Sequence, residues 1–500
     1  MLLAAALANP LFYPAALVVA AAGWVVYQRV FSPYAGIPGP FWASVTRFWY
    51  LRRVIAEDIH RCTKSLHQRY GPIVRIAPDE VSISDPAAMK QIYAVTGGFT
   101  KTDFYTAQTR ISVSPRNDLV TERDEAVHAV RRRLVNRMFT MSSIMESEAH
   151  INRVTEAFFQ ALSEHATNSK TLDMAQWLRM YTMDIIGELF FGRMFGFIQE
   201  RKDIGGYMAA IDAVAPHGMR VGVMSSWMRP FQMLLIPFSS QFLPGIRGFK
   251  ALAAESKRYV EERVGMKTER RDMLGALLQI AEEHNPEFDL RDVHMEAYVA
   301  IFAGAETTAT ALRSTVYHLS RTPHARAKLQ AEIDSAHRRG KLSPMITYGE
   351  AVELPYLDAV LKEAMRVQPP IAFTLPRHVP AGGRTICGRF SPAGSRVGIS
   401  PYVLHYQKSV FGEDAEDFSP ERWLGPDAAR MDRYMFQFGY GSRSCLGKNL
   451  ALAELYKLVP QIYRAFDVRL VDPTKEWKEQ GSFFWKHSEI EVLLVKREVQ

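Results

Sequence analysis

The chain opens on an apolar run. Residues 1–28 carry no charged side chain, and Leu11 to Tyr27 is almost wholly Ala, Val, Leu and aromatic. About 20 apolar residues span a bilayer. Trp24 and Tyr27 fall where interfacial aromatics belong, and Arg29, Arg47, Arg52 and Arg53 place the following side in the cytoplasm. A cleaved signal peptide would want a basic n-region, which is missing, and Ala6-Leu7-Ala8 comes too early for a cleavage site. The run therefore reads as an uncleaved single-pass anchor over residues 1–30, with its helix starting near Pro14. Pro33 and Ile37-Pro38-Gly39-Pro40 cannot continue a helix, so residues 31–45 read as a hinge and 46–500 as the folded domain.

Beyond the hinge, Ile73 to Ala77 and Val81 to Ser84 read as two short strands joined across Pro78-Asp79-Glu80. Asp85-Pro86 then starts a pattern that stays mainly helical to about residue 365. Asp289 to Arg321 is the longest helical reading, free of proline and stopped by Thr322-Pro323; such a helix crosses a whole domain. Thr347 and Glu350 make a capping box, and Pro355 to Gln368 is a further helix. Turns and β-like runs alternate from Ile371 to Tyr402. A last helix follows Gly447, bent by Pro460, and the tail from Phe466 is β again. The pattern predicts a mainly α fold with a smaller β-rich part (α+β), and no internal repeat.

Composition is that of a globular protein, 47% hydrophobic and 23% charged, with a net charge of +8. No basic run of six or more and no nucleic-acid motif occurs, which leaves an anionic membrane surface or an acidic protein partner to account for the charge. Cys62, Cys387 and Cys445 are far apart and form no CxxC pair, which argues against a disulfide framework and a four-ligand zinc site. A lone cysteine is ordinarily a small buried hydrophobe.

The context of Cys445 is different. It ends the stretch Phe438-Gly439-Tyr440-Gly441-Ser442-Arg443-Ser444-Cys445-Leu446-Gly447. The first glycines let the backbone turn sharply and approach a flat group closely. The cysteine stands just ahead of a helix, whose N-terminus favours a thiolate, and Gly447 leaves room beside the sulfur. These residues resemble the haem-binding loop of the cytochrome P450 family, F-x-x-G-x-R-x-C-x-G. Further segments match in the same order, so the resemblance covers the chain beyond residue 35. It implies the cytochrome P450 fold with one N-terminal transmembrane helix, residues 46–500 as the catalytic domain, and haem b (iron protoporphyrin IX) with Cys445 as axial ligand of the iron. A thiolate there donates electron density that favours O–O cleavage.

The resemblance assigns roles to other positions. Phe438, Gly439 and Arg443 belong to the haem loop. Glu363 and Arg366 form the family's E-x-x-R, and Arg422, in Pro420-Glu421-Arg422-Trp423, completes a structural cluster that holds the loop. Ala303-Gly304-Ala305-Glu306-Thr307-Thr308 resembles the oxygen-activation motif: Gly304 leaves space for dioxygen, and Glu306 and Thr307 relay protons. On its own this segment reads sooner as a packing glycine with polar neighbours on an exposed face; beside the haem loop the relay is the preferred reading, with Thr308 as a neighbour only. Arg377, Arg443, His128 and Arg132 are the candidates to pair with haem propionates. Many relatives have Trp where this chain has His128, and Arg131 and Arg133 flank Arg132, which leaves the register open by one.

By the same resemblance the substrate pocket draws on Lys101 to Val113, Phe197 to Phe238, Ala300 to Thr308, Ile371 to Thr374 and Phe483 to Trp485, with Phe104, Ile371, Phe373 and Phe484 as its candidate lining. For any one aromatic, core packing is the plainer reading. The segments from Gly71 and from Gly98 resemble fungal members similar to pisatin demethylases, which implies a lipophilic secondary metabolite: a polyketide, terpenoid or alkaloid. Electrons would come from NADPH through a separate NADPH-cytochrome P450 reductase, with the anchor in the endoplasmic reticulum and O2 as co-substrate. A haem-thiolate isomerase or dehydratase and a non-catalytic haem-binding protein are the alternatives. Glu306-Thr307 argues against both.

Overall fold

In the computed structural model, residues 12–108, 114–230, 242–266, 270–481 and 483–498 are described. The early cleavage-site motif, Pro10, and parts of two of the expected pocket stretches lie outside them.

The longest element is the helix Leu290–Arg321, about 48 Å of axial rise at 1.5 Å per residue. Asp289 and Asp292 cap it reciprocally, each side chain taking the other's backbone N–H, and Thr322-Pro323 ends it. It is buried along most of its length because helices flank it on several sides, Phe242–Val264 and Met273–Glu283 among them. Met174–Phe191 is apolar on every side, and all its residues except Gln176 are buried, as befits a helix with no solvent face. Pro355–Val367 and Lys448–Ala465 cover the remainder.

The β part lies in small sheets. The largest has the order Ile73–Ala77, Glu80–Ile83, Arg396–Gly398, Arg377–His378, Thr100–Lys101. Its one parallel pair joins Glu80–Ile83 to Arg396–Gly398. At its end, Lys101 lies opposite Arg377 in antiparallel register. A second sheet pairs Glu491–Lys496 with both Leu172–Asp173 and Phe466–Leu470, and a hairpin joins Lys478–Gly481 to Trp485–Ser488. The mainly helical fold with a minor β part is as the pattern predicts.

Near the N-terminus, Phe12–Val26 continues through a wider turn, Tyr27–Phe31, as one apolar helix long enough to cross a membrane. Its last turns are fastened to the domain. Trp24 Nε1 donates to Val45 O at 2.8 Å. The buried Arg75, on the first strand of the large sheet, donates to Gln28 O at 2.9 Å, to Gln28 Oε1, and to Pro78 O at 2.7 Å. Within residues 31–45, Phe41–Val45 forms a short helix and Pro38 O accepts from Arg75 N.

Candidate active site

The cysteine loop leaves the core at Phe436 and re-enters it at the helix Lys448–Ala465. Gly439 and Gly441 adopt φ of 68° and 67°, values that favour glycine. At Gly441 a Cβ would also collide with the carbonyl of Tyr93. Cys445 N donates to Phe438 O at 2.7 Å and closes the turn.

Cys445 itself is exposed, yet burial pushes its thiol pKa up. Accessible surface on a sulfur so surrounded by protein fits the wall of a concavity. The N–H groups of Gly447 and Lys448 and the charges of Arg132 and Lys448 pull the pKa down without overcoming burial. The protein alone therefore does not make the low-pKa thiol that the helix N-terminus suggests. A positive centre inside the concavity would.

One flank of this concavity gathers basic side chains. Lys101 is buried, and its pKa is driven well down by burial first and then by Arg377 and Arg443. His128 is lowered to about 3 by burial, Arg443, Lys101 and Arg132. Arg377 is buried and donates to Tyr105 Oη at 2.8 Å. Arg132 holds Ser444 O at 2.7 Å, and Arg443 holds Glu122 O at 2.9 Å and Glu125 Oε2 at 3.0 Å. Buried Lys101, His128 and Arg377 beside half-buried Arg132 and Arg443, the last paired with Glu125, suit a ligand bearing carboxylates. A haem fits the set: an accessible sulfur, a close glycine turn, and a basic flank for two propionates. His128 stays neutral there and offers one N–H, not a charge. Lys101 and Tyr105 join the cluster unforeseen: strand pairing brings Lys101 to Arg377, and Tyr105 follows on the turn just after that strand.

Glu363, Arg366 and Arg422 also come together. Glu363 and Arg366 are fully buried and bidentate at 2.8 Å. Arg422 Nε reaches Glu363 Oε1 at 3.0 Å, and Trp423 Nε1 reaches its Oε2 at 2.9 Å. Arg366 also donates to the carbonyls of His405, Ala415 and Asp417.

On the long helix, Ala300, Ala303 and Thr307 keep partial exposure among buried neighbours, at a spacing that puts them on one face. Thr307 Oγ1 donates to Ala303 O at 2.7 Å, a back-bond that local loosening would release. Glu306, beside Thr307, is buried. It pairs with Arg179 Nε at 2.6 Å and Arg313 Nη2 at 2.9 Å, and lines a cavity of about 350 Å³ with Asp212, His217, Phe484 and Lys486. Gly304 keeps the same partial exposure as Ala303 and Thr307. A Cβ built there would overlap Ile186 Cδ1 and sit 3.1 Å from its Cγ1. The missing side chain lets Ile186 of Met174–Phe191 approach closely at this crossing.

The pocket candidates separate. Phe104 and Phe373 are 2% and 1% exposed and stack at 5.1 Å within a core cluster that includes Tyr50, Ile76 and Met219. They are packing residues here. Ile371 and Phe484 keep partial exposure and meet through an isolated β-bridge.

A helical domain built around one long helix, with an accessible cysteine in a glycine-turned loop just ahead of a helix, is the architecture of a haem-thiolate protein. The chain belongs to the cytochrome P450 family, whose model matches residues 36–494, and it is a cytochrome P450 monooxygenase, an oxidoreductase that incorporates oxygen. The chain is 36% identical to cytochrome P450 monooxygenase gsfF of Penicillium aethiopicum, over 95% of this chain and 96% of that protein. It is 33% identical to cytochrome P450 monooxygenase cicH of Emericella nidulans, over 95% and 96%. It is 31% identical to pisatin demethylase of Fusarium vanettenii, over 93% and 90%.

Proposed function

We propose that this monooxygenase inserts one atom of O2 into a lipophilic secondary metabolite of polyketide, terpenoid or alkaloid type. Electrons come from NADPH through a separate membrane-bound reductase. The catalytic domain, residues 46–500, faces the cytosol, held to the endoplasmic reticulum by residues 1–30 and the connector 31–45. The observation that carries the reading is Cys445, accessible at the head of a helix in a glycine-closed loop, beside a basic flank.

Haem, when bound, supplies the site that activates dioxygen. The protein does the rest. Cys445 holds the group from one side. Lys101, His128, Arg132, Arg377 and Arg443 receive its carboxylates. Glu363, Arg366 and Arg422 hold the segment around the cysteine loop. Thr307 holds a proton next to the reacting face, and its hydroxyl can leave Ala303 O for a water or a substrate-derived oxygen. Glu306 sits between that helix and the polar cavity, so it replenishes protons from the solvent side while Arg179 and Arg313 keep its position. Ile371 and Phe484 supply apolar surface to the substrate.

The test is the ferrous carbon-monoxide difference spectrum of wild type beside Cys445→Ser. A red-shifted Soret band present in wild type and absent in the variant supports thiolate ligation at this residue. The same band in both rejects it. Thr307→Ala keeps the band and lowers product formed per NADPH; an unchanged ratio rejects the relay.

A further inference from the structure

His405 takes no part in the roles above, yet it is fully buried with both ring nitrogens engaged. Its Nδ1 lies 3.1 Å from Arg366 O, a carbonyl that can only accept. Nδ1 therefore carries the hydrogen. Its Nε2 lies 2.8 Å from Phe436 N, an amide that can only donate. Nε2 therefore carries the lone pair. One neutral tautomer satisfies both contacts, and no other state does. Burial agrees, lowering the pKa to about 3.

The two partners make the contact more than packing. Arg366 and His405 clasp each other: Arg366 Nη1 donates to His405 O at 2.9 Å while His405 returns a hydrogen bond to Arg366 O. Arg366 is the arginine of the buried ion pair with Glu363. Phe436 heads the cysteine loop: its carbonyl accepts from Gly439 N at 2.9 Å, and Phe438 O accepts from Cys445 N at 2.7 Å. Among the described residues, Arg366 itself makes no side-chain hydrogen bond to 436–445; its donors end on Glu363 and on the carbonyls of His405, Ala415 and Asp417.

We propose that His405 is a positioning residue for Cys445, joining the Glu363–Arg366 ion pair to the cysteine loop through one fixed tautomer. The proposal rests on the haem-thiolate reading for its consequence, but the bridge itself does not depend on it.

Three substitutions divide the ring's functions. His405→Gln can place a carbonyl where Nε2 stood and keeps an acceptor for Phe436 N. His405→Asn reaches only as far as Nδ1 and strands that amide. His405→Phe keeps the shape and loses both contacts. Two readouts follow on the full-length holoprotein: the rate at which the red-shifted carbon-monoxide band converts to the band of non-thiolate haem in sub-denaturing urea, and hydrogen–deuterium exchange at the Phe436 amide. Stranding a buried donor should speed both by roughly tenfold or more in the Asn and Phe variants, and by no more than about threefold in Gln. A Phe variant that matches wild type, or a Gln variant as fast as Asn, overturns the proposal. If Phe does not fold, the Gln–Asn comparison decides alone. If wild type shows no red-shifted band, the haem-thiolate reading falls, and amide exchange still judges the bridge.

Discussion

Replacing Gly304 by alanine adds one methyl group that must share space with Ile186. The new Cβ would overlap Ile186 Cδ1 and stand 3.1 Å from Cγ1, closer than relaxed carbon contacts. Alanine also gains about 1 kcal/mol of helix propensity over glycine, while overpacking costs about 1–3 kcal/mol. The single variant should therefore lose about 0–2 kcal/mol. Ile186→Val alone removes the Cδ1 and costs about 1 kcal/mol. In the double variant the alanine methyl occupies the vacated place, so the two changes should be less harmful together than their sum, with a coupling of about 1–2 kcal/mol. Urea midpoints of the four proteins measure the stability cycle. Product formed per O2 consumed measures the chemistry, and the double variant should recover what Gly304→Ala loses. If Gly304→Ala leaves stability untouched and its oxygen coupling stays low when Ile186 is trimmed, the glycine serves the reaction side of the helix and the packing argument is wrong.

Glu363→Gln leaves the buried Arg366 without its counter-charge, while Arg422 keeps Asp414 at 3.0 Å; a loss of about 3–5 kcal/mol is expected, read as a lower urea midpoint or loss of soluble protein. Lys101→Met removes one donor from the basic flank, so haem should transfer to an apoprotein acceptor roughly tenfold faster, the scale of one charge-assisted hydrogen bond; an unchanged rate separates Lys101 from the cofactor. His67 and His318 are each lowered by burial to about 4. A folded value below the unfolded one near 6.5 means stability is full above that pH and is lost as pH falls toward 4. The urea midpoint should therefore drop between pH 6.5 and 5, by up to about 1.4 kcal/mol per pH unit for each histidine, and His67→Gln should flatten the slope. A midpoint constant over that range contradicts this.

The long helix could be read from sequence because its signals are local: a capping acid at Asp289, an unbroken run, and Thr322-Pro323 at the far end. The cysteine loop was legible for the same reason, since its glycines and cysteine lie within ten residues of chain. What stayed hidden depends on distant segments meeting. Lys101 reaches the basic flank only through its register against Arg377. His405 has no flanking motif and gains meaning from Arg366 and Phe436. Composition could not tell Phe104 and Phe373, sealed against each other, from Ile371 and Phe484, which keep open surface. Nor could a helical wheel say that Gly304 turns its bare side to Ile186, because that follows from the neighbouring helix's position.

The junction between the apolar helix and the domain has a mechanical consequence. Arg75 sits on the strand that starts the largest sheet and grips Gln28 at the end of that helix, while Trp24 is tied to Val45. For a chain seated in a bilayer as proposed, the helix acts as a bracket and not a tether. The tilt of the bilayer helix and the attitude of the sheet then become one variable, and the cavity mouth meets the lipid surface at an angle encoded by three side chains. Loosening that grip with Arg75→Ala would leave the chemistry intact and let the domain swivel, trading a fixed approach for lipophilic molecules against an averaged one.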